Sequence, residues 1–148
     1  IEDLTTVLAS AQGGGGLGYG YGGPYGPFGG DAFTVEVDTW YNQLNDAEFH
    51  TDPTTSDHIE ITQGLDPSSS LGFHATQNLE DLTWHAVRVD VSASHLKVWF
   101  DGAVVVDQDV PDLKFRGGYV FFSGSTGYYY NQHRFDDLEI LDACESGN

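Results

Sequence analysis

The sequence predicts an all-β fold, an antiparallel sandwich or barrel, on three observations. Apolar and polar residues alternate with a period of two over many short runs, which is strand spacing. Gly, Pro, Asn and Asp cluster between those runs, as turns require. No stretch keeps a helical period for more than one turn.

The elements follow in chain order. Residues 5–8 read as a short strand. Gly13 to Gly30 holds eleven Gly, two Pro and three Tyr in eighteen residues. Neither helix nor strand tolerates that density, so the segment is a long loop. Phe33, Val35 and Val37 then alternate with Thr34, Glu36 and Asp38, and residues 58–62 alternate likewise. Strands are expected at 71–76 and, less regularly, at 84–91. Leu96 to Phe100 meets Asp101-Gly102, a strong hairpin signal, and residues 103–106 return. Residues 119–123 and 134–141 complete about nine strands. Trp84 and Trp99 are expected in the core of this set.

The chain of 148 residues is one domain's worth, read as a domain over 1–142 with a tail at 143–148. It is 39% hydrophobic and 14% aromatic, enough to build a core. No apolar run reaches the roughly 20 residues of a membrane-spanning helix. The 23 acids against 5 Lys and Arg give a net charge of −18. That argues against nucleic acid, whose binding depends on basic residues displacing counterions, and against an anionic membrane surface. The sequence contains no Met, so the expectation is a processed product or part of a longer chain. An extracellular or cell-surface location is expected with it. Cys144, the only cysteine, is either a free thiol or half of a bridge to another segment.

The charge is uneven. Residues 1–87 hold 13 acids and no Lys or Arg, whereas residues 88–148 hold 10 acids and all 5 bases. An acidic, well-solvated surface is one account, and bound divalent cations are the other. The densest stretch is Glu36-Val37-Asp38-Thr39-Trp40-Tyr41-Asn42, then Asp52-Pro53, then His58-Ile59-Glu60-Ile61. On a strand Glu36 and Asp38 share a face. Asn42 and Asp52 end a loop that can fold over that face, and His58 opens the next strand. Carboxylates, an amide oxygen and backbone carbonyls are calcium donors. A neutral imidazole beside carboxylates suits a transition ion such as manganese, and Asp38 has two oxygens with which to bridge two ions.

This stretch resembles the metal-binding signature of the L-type (legume-type) lectins: V-E-x-D-T-aromatic-x-N, a loop, D-P, then H-I-x-I. The Gly-rich run is similar to that family's second sugar loop. Phe121-Phe122-Ser123-Gly124-Ser125-Thr126-Gly127 and the segment from Asn131 to Phe135 are similar to its F-S-A-x-T-G … H-x-I ending. The resemblance covers nearly the whole chain and implies a jelly-roll, concanavalin A-like sandwich. It implies that Glu36, Asp38, Asp52 and His58 hold a transition ion such as Mn2+, and that Asp38, Asn42, Asp52 and the Trp40 carbonyl hold Ca2+. It implies a glycan site walled by Asp3, Gly22, Gly23, Trp40, Asn42, Tyr128, Tyr129 and Asn131.

The departures are specific. Gln43 to Thr51 is longer than the family's loop. At the first sugar loop, alignment places either Asp3 or Glu2 at the expected aspartate. The strands that precede this point in the family are missing, so a companion chain or a missing N-terminal segment is expected to pair with residues 134–141. A homo-oligomer remains open. His50, His74, His85, His95 and His133 are expected to be structural or solvent-facing.

Three functions compete. The first is non-catalytic, metal-dependent carbohydrate binding. The second is a structural or protein-binding module of a surface filament or adhesin that keeps the sandwich and metals. The third is a glycosidase, which needs two suitably spaced carboxylates. Glycosidases of similar fold carry E-x-D-x-x-E. Here Glu36 and Asp38 are followed by Tyr41, with no second glutamate, so no enzyme is expected.

Overall fold

The computed structural model describes residues 33–43, 52–63, 70–92, 94–110, 120, 122–126 and 130–141. Within them the chain is an all-β domain of two small antiparallel sheets of three strands each. The first sheet orders β1 (Phe33–Asp38), β2 (His58–Gln63) and β3 (Ser70–Ala75) as β1-β2-β3. The second orders β4 (Val87–Ser92), β5 (His95–Phe100) and β6 (Ala103–Asp109) as β4-β5-β6. No helix occurs among the described residues, so none there is long and apolar enough to cross a membrane.

The alternation read from the sequence becomes two faces. Phe33, Val35, Ile59 and Ile61 turn toward the second sheet and pack with Leu96, Val98, Val106 and Val110. Ile59, Ile61, Leu96 and Val98 are fully buried there. Burying such side chains is worth roughly 1.5–3 kcal/mol each. Gly72 on β3 admits the close approach of β6: a Cβ there would stand 3.4 Å from a Val106 methyl. Residue 71 is the extra residue of a bulge, since Ile61 pairs with Gly72 and Thr62 with Ser70.

The β5–β6 hairpin turns where Asp101-Gly102 predicts it. Both residues take positive φ, 48° and 80°, as a two-residue hairpin turn requires. Trp84 and Trp99 correct the expectation of two core tryptophans. Trp84 precedes β4, which begins at Val87 rather than at 84, and is exposed. Trp99 lies on the outer face of β5, with the Arg88 guanidinium 4.7 Å and the Lys97 ammonium 5.4 Å from its ring centroid. Leu96 and Val98 occupy the inward positions, so the alternation forces Lys97 and Trp99 outward.

Strands are absent where residues 119–123 and 134–141 predict them, among the described part of those segments. Their apolar residues have no ladder partner there. Phe122 instead packs on Phe135, ring centroids 4.8 Å apart, and Gly124 lies against His133 so closely that a Cβ would fall 3.0 Å from its ring. The strand expected at 5–8 lies outside the described residues.

Two histidines are each held between two aspartates on the second sheet. His95 Nε2 stands 2.8 Å from Asp107 and Nδ1 2.7 Å from Asp109. His85 Nδ1 stands 2.8 Å from Asp101 Oδ2, its Nε2 3.2 Å from Asp81, and its ring stacks on Phe100 at 4.8 Å. Asp101 also exchanges hydrogen bonds with Ala86: the Ala86 N–H donates to its carboxylate, and its own N–H donates to the Ala86 carbonyl. The hairpin turn is thereby stapled to the start of β4.

The hydrogen bond to Asp101 is the main cause that holds the His85 pKa above the ordinary imidazole value; slight burial opposes it and Asp81 adds to it. The bond from His85 in turn lowers the Asp101 pKa. A raised folded pKa gives stability that is complete below the unfolded value of about 6.5 and is lost as pH rises through the folded value. The Asp101 contribution is present above its unfolded value and is lost as pH falls through the lowered one. His85→Gln is therefore expected to flatten the decline of the melting temperature as pH rises above about 6.5. Circular-dichroism melts of both proteins measure this; His95 is common to both, and parallel curves would show that His85 contributes nothing.

Candidate metal centre

The face of the first sheet that turns away from the second is polar. β1 and β2 pair antiparallel in a register that sets Thr34 opposite Thr62, Glu36 opposite Glu60 and Asp38 opposite His58. Residues directly opposite share a face, and so do residues two apart on one strand. Six polar side chains therefore project to one side. Thr34 is half-buried and the other five are buried: Glu36 and Asp38 are 3% exposed, His58 1%, Glu60 and Thr62 0%; Asp52, in the loop after β1, is 4% exposed.

Ligand atoms of Glu36, Asp38 and His58 all lie within 4.8 Å of one another. Two carboxylates and an imidazole at that spacing are a donor set that fits a divalent cation. His58 Nδ1 lies 3.3 Å from the Ser56 carbonyl. A carbonyl only accepts, so Nδ1 carries the hydrogen and Nε2 is the ligating nitrogen. Burial pushes the His58 pKa down, but the Glu60 carboxylate and the fields of Asp38, Asp52 and Glu36 outweigh it and the net direction is up. The ring thus reports a strongly negative surrounding.

The loop after β1 is fastened at both ends. The Trp40 N–H donates to Asp38 Oδ1 at 2.7 Å, a local turn built by the carboxylate itself. The Asn42 N–H donates to Asp52 Oδ2 at 2.5 Å, and the Asp52 N–H donates to the Asn42 carbonyl at 3.2 Å. This reciprocal pair brings the buried Asp52 carboxylate to the cluster, where its charge acts on His58. Trp40 is 56% exposed and Asn42 half-buried.

The structure thus brings Glu36, Asp38 and His58 together; Asp52 acts on His58 through its charge, and hydrogen bonds tie Trp40 to Asp38 and Asn42 to Asp52. Asn131 is exposed; its Nδ2 donates to Glu80 Oε1 at 2.8 Å, and the same oxygen accepts from Thr39 Oγ1 at 3.4 Å. Asp3, Glu2, Gly22, Gly23, Tyr128, Tyr129 and His50 lie outside the described residues. Two residues escaped the sequence reading. Glu80 joins the segment of Asn131 to the metal segment, and nothing local in the sequence announces it. Glu60 lies two residues from His58, so the period-two rule that groups Glu36 with Asp38 also groups Glu60 with His58.

No family model, curated protein or solved structure matches this chain at a significant level. The lectin resemblance therefore rests on the signature residues themselves.

Holding a cation here stabilises the folded state by mass action, about 2.7 kcal/mol at 100 times the dissociation constant. The melting temperature is expected to rise when Mn2+ or Ca2+ is added to chelator-treated protein. His58→Ala is expected to lose the Mn2+ response. Calorimetric scans with each ion measure both, and equal melting with and without ions would count against a metal centre.

Proposed function

We propose that this chain is a non-catalytic carbohydrate-binding module of the L-type lectin kind, extracellular, with a glycan site that depends on bound Ca2+ and a transition ion such as Mn2+. The observation that carries this reading is the meeting of Glu36, Asp38 and His58 on adjoining strands, in the order of the lectin signature. The transition ion takes Glu36, Asp38, Asp52 and His58. Calcium takes Asp38, Asp52, the Asn42 amide oxygen and the Trp40 carbonyl, all hard oxygen donors. In this reading the two small sheets belong to a jelly-roll sandwich.

Calcium does not touch the sugar. It fixes the Asn42 amide so that Oδ1 faces the ion and Nδ2 is held outward as a donor, which lowers the ordering cost of binding. The exposed Trp40 supports the reading by offering an aromatic face to the apolar side of a pyranose ring. Thr39, Glu80 and Asn131, linked through one carboxylate oxygen, set a polar edge beside it. No catalytic role is included, because the position of a second glutamate is Tyr41.

A second reading, a structural or protein-binding module, draws on the exposed apolar residues Val120, Phe122, Phe135, Leu138 and Ile140. Glycan-array binding with and without chelator separates the two. Asp38→Ala is expected to abolish glycan binding. Asn42→Asp keeps an oxygen for calcium and turns the outward donor into an acceptor. It is expected to retain calcium and weaken glycan binding by about 1–3 kcal/mol, the cost of an unsatisfied buried partner. Calorimetry with the array's best glycan measures this, and unchanged affinity with calcium retained favours the structural module.

A further inference from the structure

Glu60 is the most deeply buried acid of the cluster and belongs to no role so far described. It is fully buried, it stands opposite Glu36 across the β1–β2 pair, and both its carboxylate oxygens lack a hydrogen-bond partner among the described residues. A carboxylate so placed is costly unless a positive charge meets it. Glu36 cannot be that partner, because like charges directly opposite on a sheet repel.

The carboxylate is aimed at His58: Glu60 Oε2 lies 3.6 Å from His58 Nε2. This is longer than a hydrogen bond. When the ring is neutral with its hydrogen on Nδ1, Nε2 and the carboxylate oxygen are two electron-pair donors facing one space. Two donors each about 2.1 Å from a shared ion lie roughly 3.4–3.6 Å apart when they subtend about 109–120° at it. That separation fits two ligands of one ion as well as an ion pair, and the Glu60 oxygens stand outside the 4.8 Å group formed by Glu36, Asp38 and His58.

From this we infer that Glu60 is a direct ligand of the transition ion, so that β1 and β2 each supply two donors, Glu36 and Asp38 from one and His58 and Glu60 from the other. The inference rests on the reading of this cluster as a metal centre and assigns it a further protein ligand. With Asp52 from the loop this makes five protein donors in place of four, which leaves less room for water and favours a five-coordinate transition ion over calcium at this position.

Cobalt(II) is the probe, because its visible absorption is strong in four- and five-coordinate sites and weak in six-coordinate ones. Metal-stripped full chain is titrated with cobalt as wild type, Glu60→Gln and Glu36→Gln, following absorption, stoichiometry and the melting temperature of the metal-free protein. Wild type is expected to give strong bands. Glu60→Gln is expected to bind about 100-fold more weakly or worse, beyond the usual loss for an outer-sphere group, with weakened or shifted bands. Its metal-free form is expected to melt no lower than wild type, since a buried charge has been removed. Where Glu60→Gln does not fold, Glu60→Asp is read in its place, with altered bands expected from the shorter carboxylate.

Weaker binding with an unchanged spectrum would make Glu60 a positioning group for His58 and overturn the assignment. Wild-type binding by Glu60→Gln, alongside lost binding by Glu36→Gln, would overturn it while leaving the metal centre intact. A wild-type chain that takes up no cobalt would remove the metal centre itself, and Glu60 with it.

Discussion

The constraint on which the rest of this structure depends is the burial of four carboxylates and an imidazole on one face of a three-stranded sheet. Two unit charges within 4.8 Å repel by roughly 3–4 kcal/mol or more at an effective dielectric constant near 20. A domain is stable by only about 5–15 kcal/mol, so a few such pairs weigh as much as the whole fold. A divalent cation held by Glu36, Asp38 and His58, the group whose ligand atoms lie close enough, would turn that repulsion into attraction. Binding and folding are then coupled, because the donors converge only when β1 and β2 are paired in register.

The hydrophobic core secures that register. β2 is buried on both faces, with Ile59 and Ile61 in the inter-sheet core and His58, Glu60 and Thr62 on the other side. A slip by one residue would carry the isoleucines to the polar face and the acids into the core. The preference of Ile59 and Ile61 for the second sheet therefore holds His58 opposite Asp38 and Glu60 opposite Glu36. Metal geometry and core packing are two consequences of one alternation.

The second sheet handles charge differently. Its acids lie on the surface beside bases or histidines: Asp90 receives two hydrogen bonds from Arg88, Asp107 meets Lys97 and His95, and Asp101 meets His85. Exposed pairs of this kind contribute little each. The contrast follows the composition, since residues 1–87 contain no Lys or Arg with which the first sheet could pair its acids. Where the chain lacks basic partners it gathers carboxylates in a form that suits a cation.

Local pattern was enough to read strands at 33–38, 58–62 and 96–100, each within a residue of the strand that forms, the Asp101-Gly102 turn, and the acids that share a face with one another. Each follows from the two-residue period of a strand or the positive φ of a turn, properties of a few adjacent residues. Trp99 was misread because alternation says that two faces differ, not which one is covered, and the contact through Leu96 and Val98 decided it; Trp84 was misread because β4 begins only at Val87. Residues 134–141 have strand-like alternation but no described ladder, since a strand needs a neighbour that sequence alone does not supply. Glu60 passed for filler although its spacing from His58 was visible, because only the pairing with β1 sets it beside Glu36. The link from Glu80 to Asn131 spans 51 positions and has no local signature. The sequence by itself determined the period, the turn and the inventory of ligands. The tertiary structure decided which face is buried and which acids meet, because those depend on contacts between segments far apart in the chain.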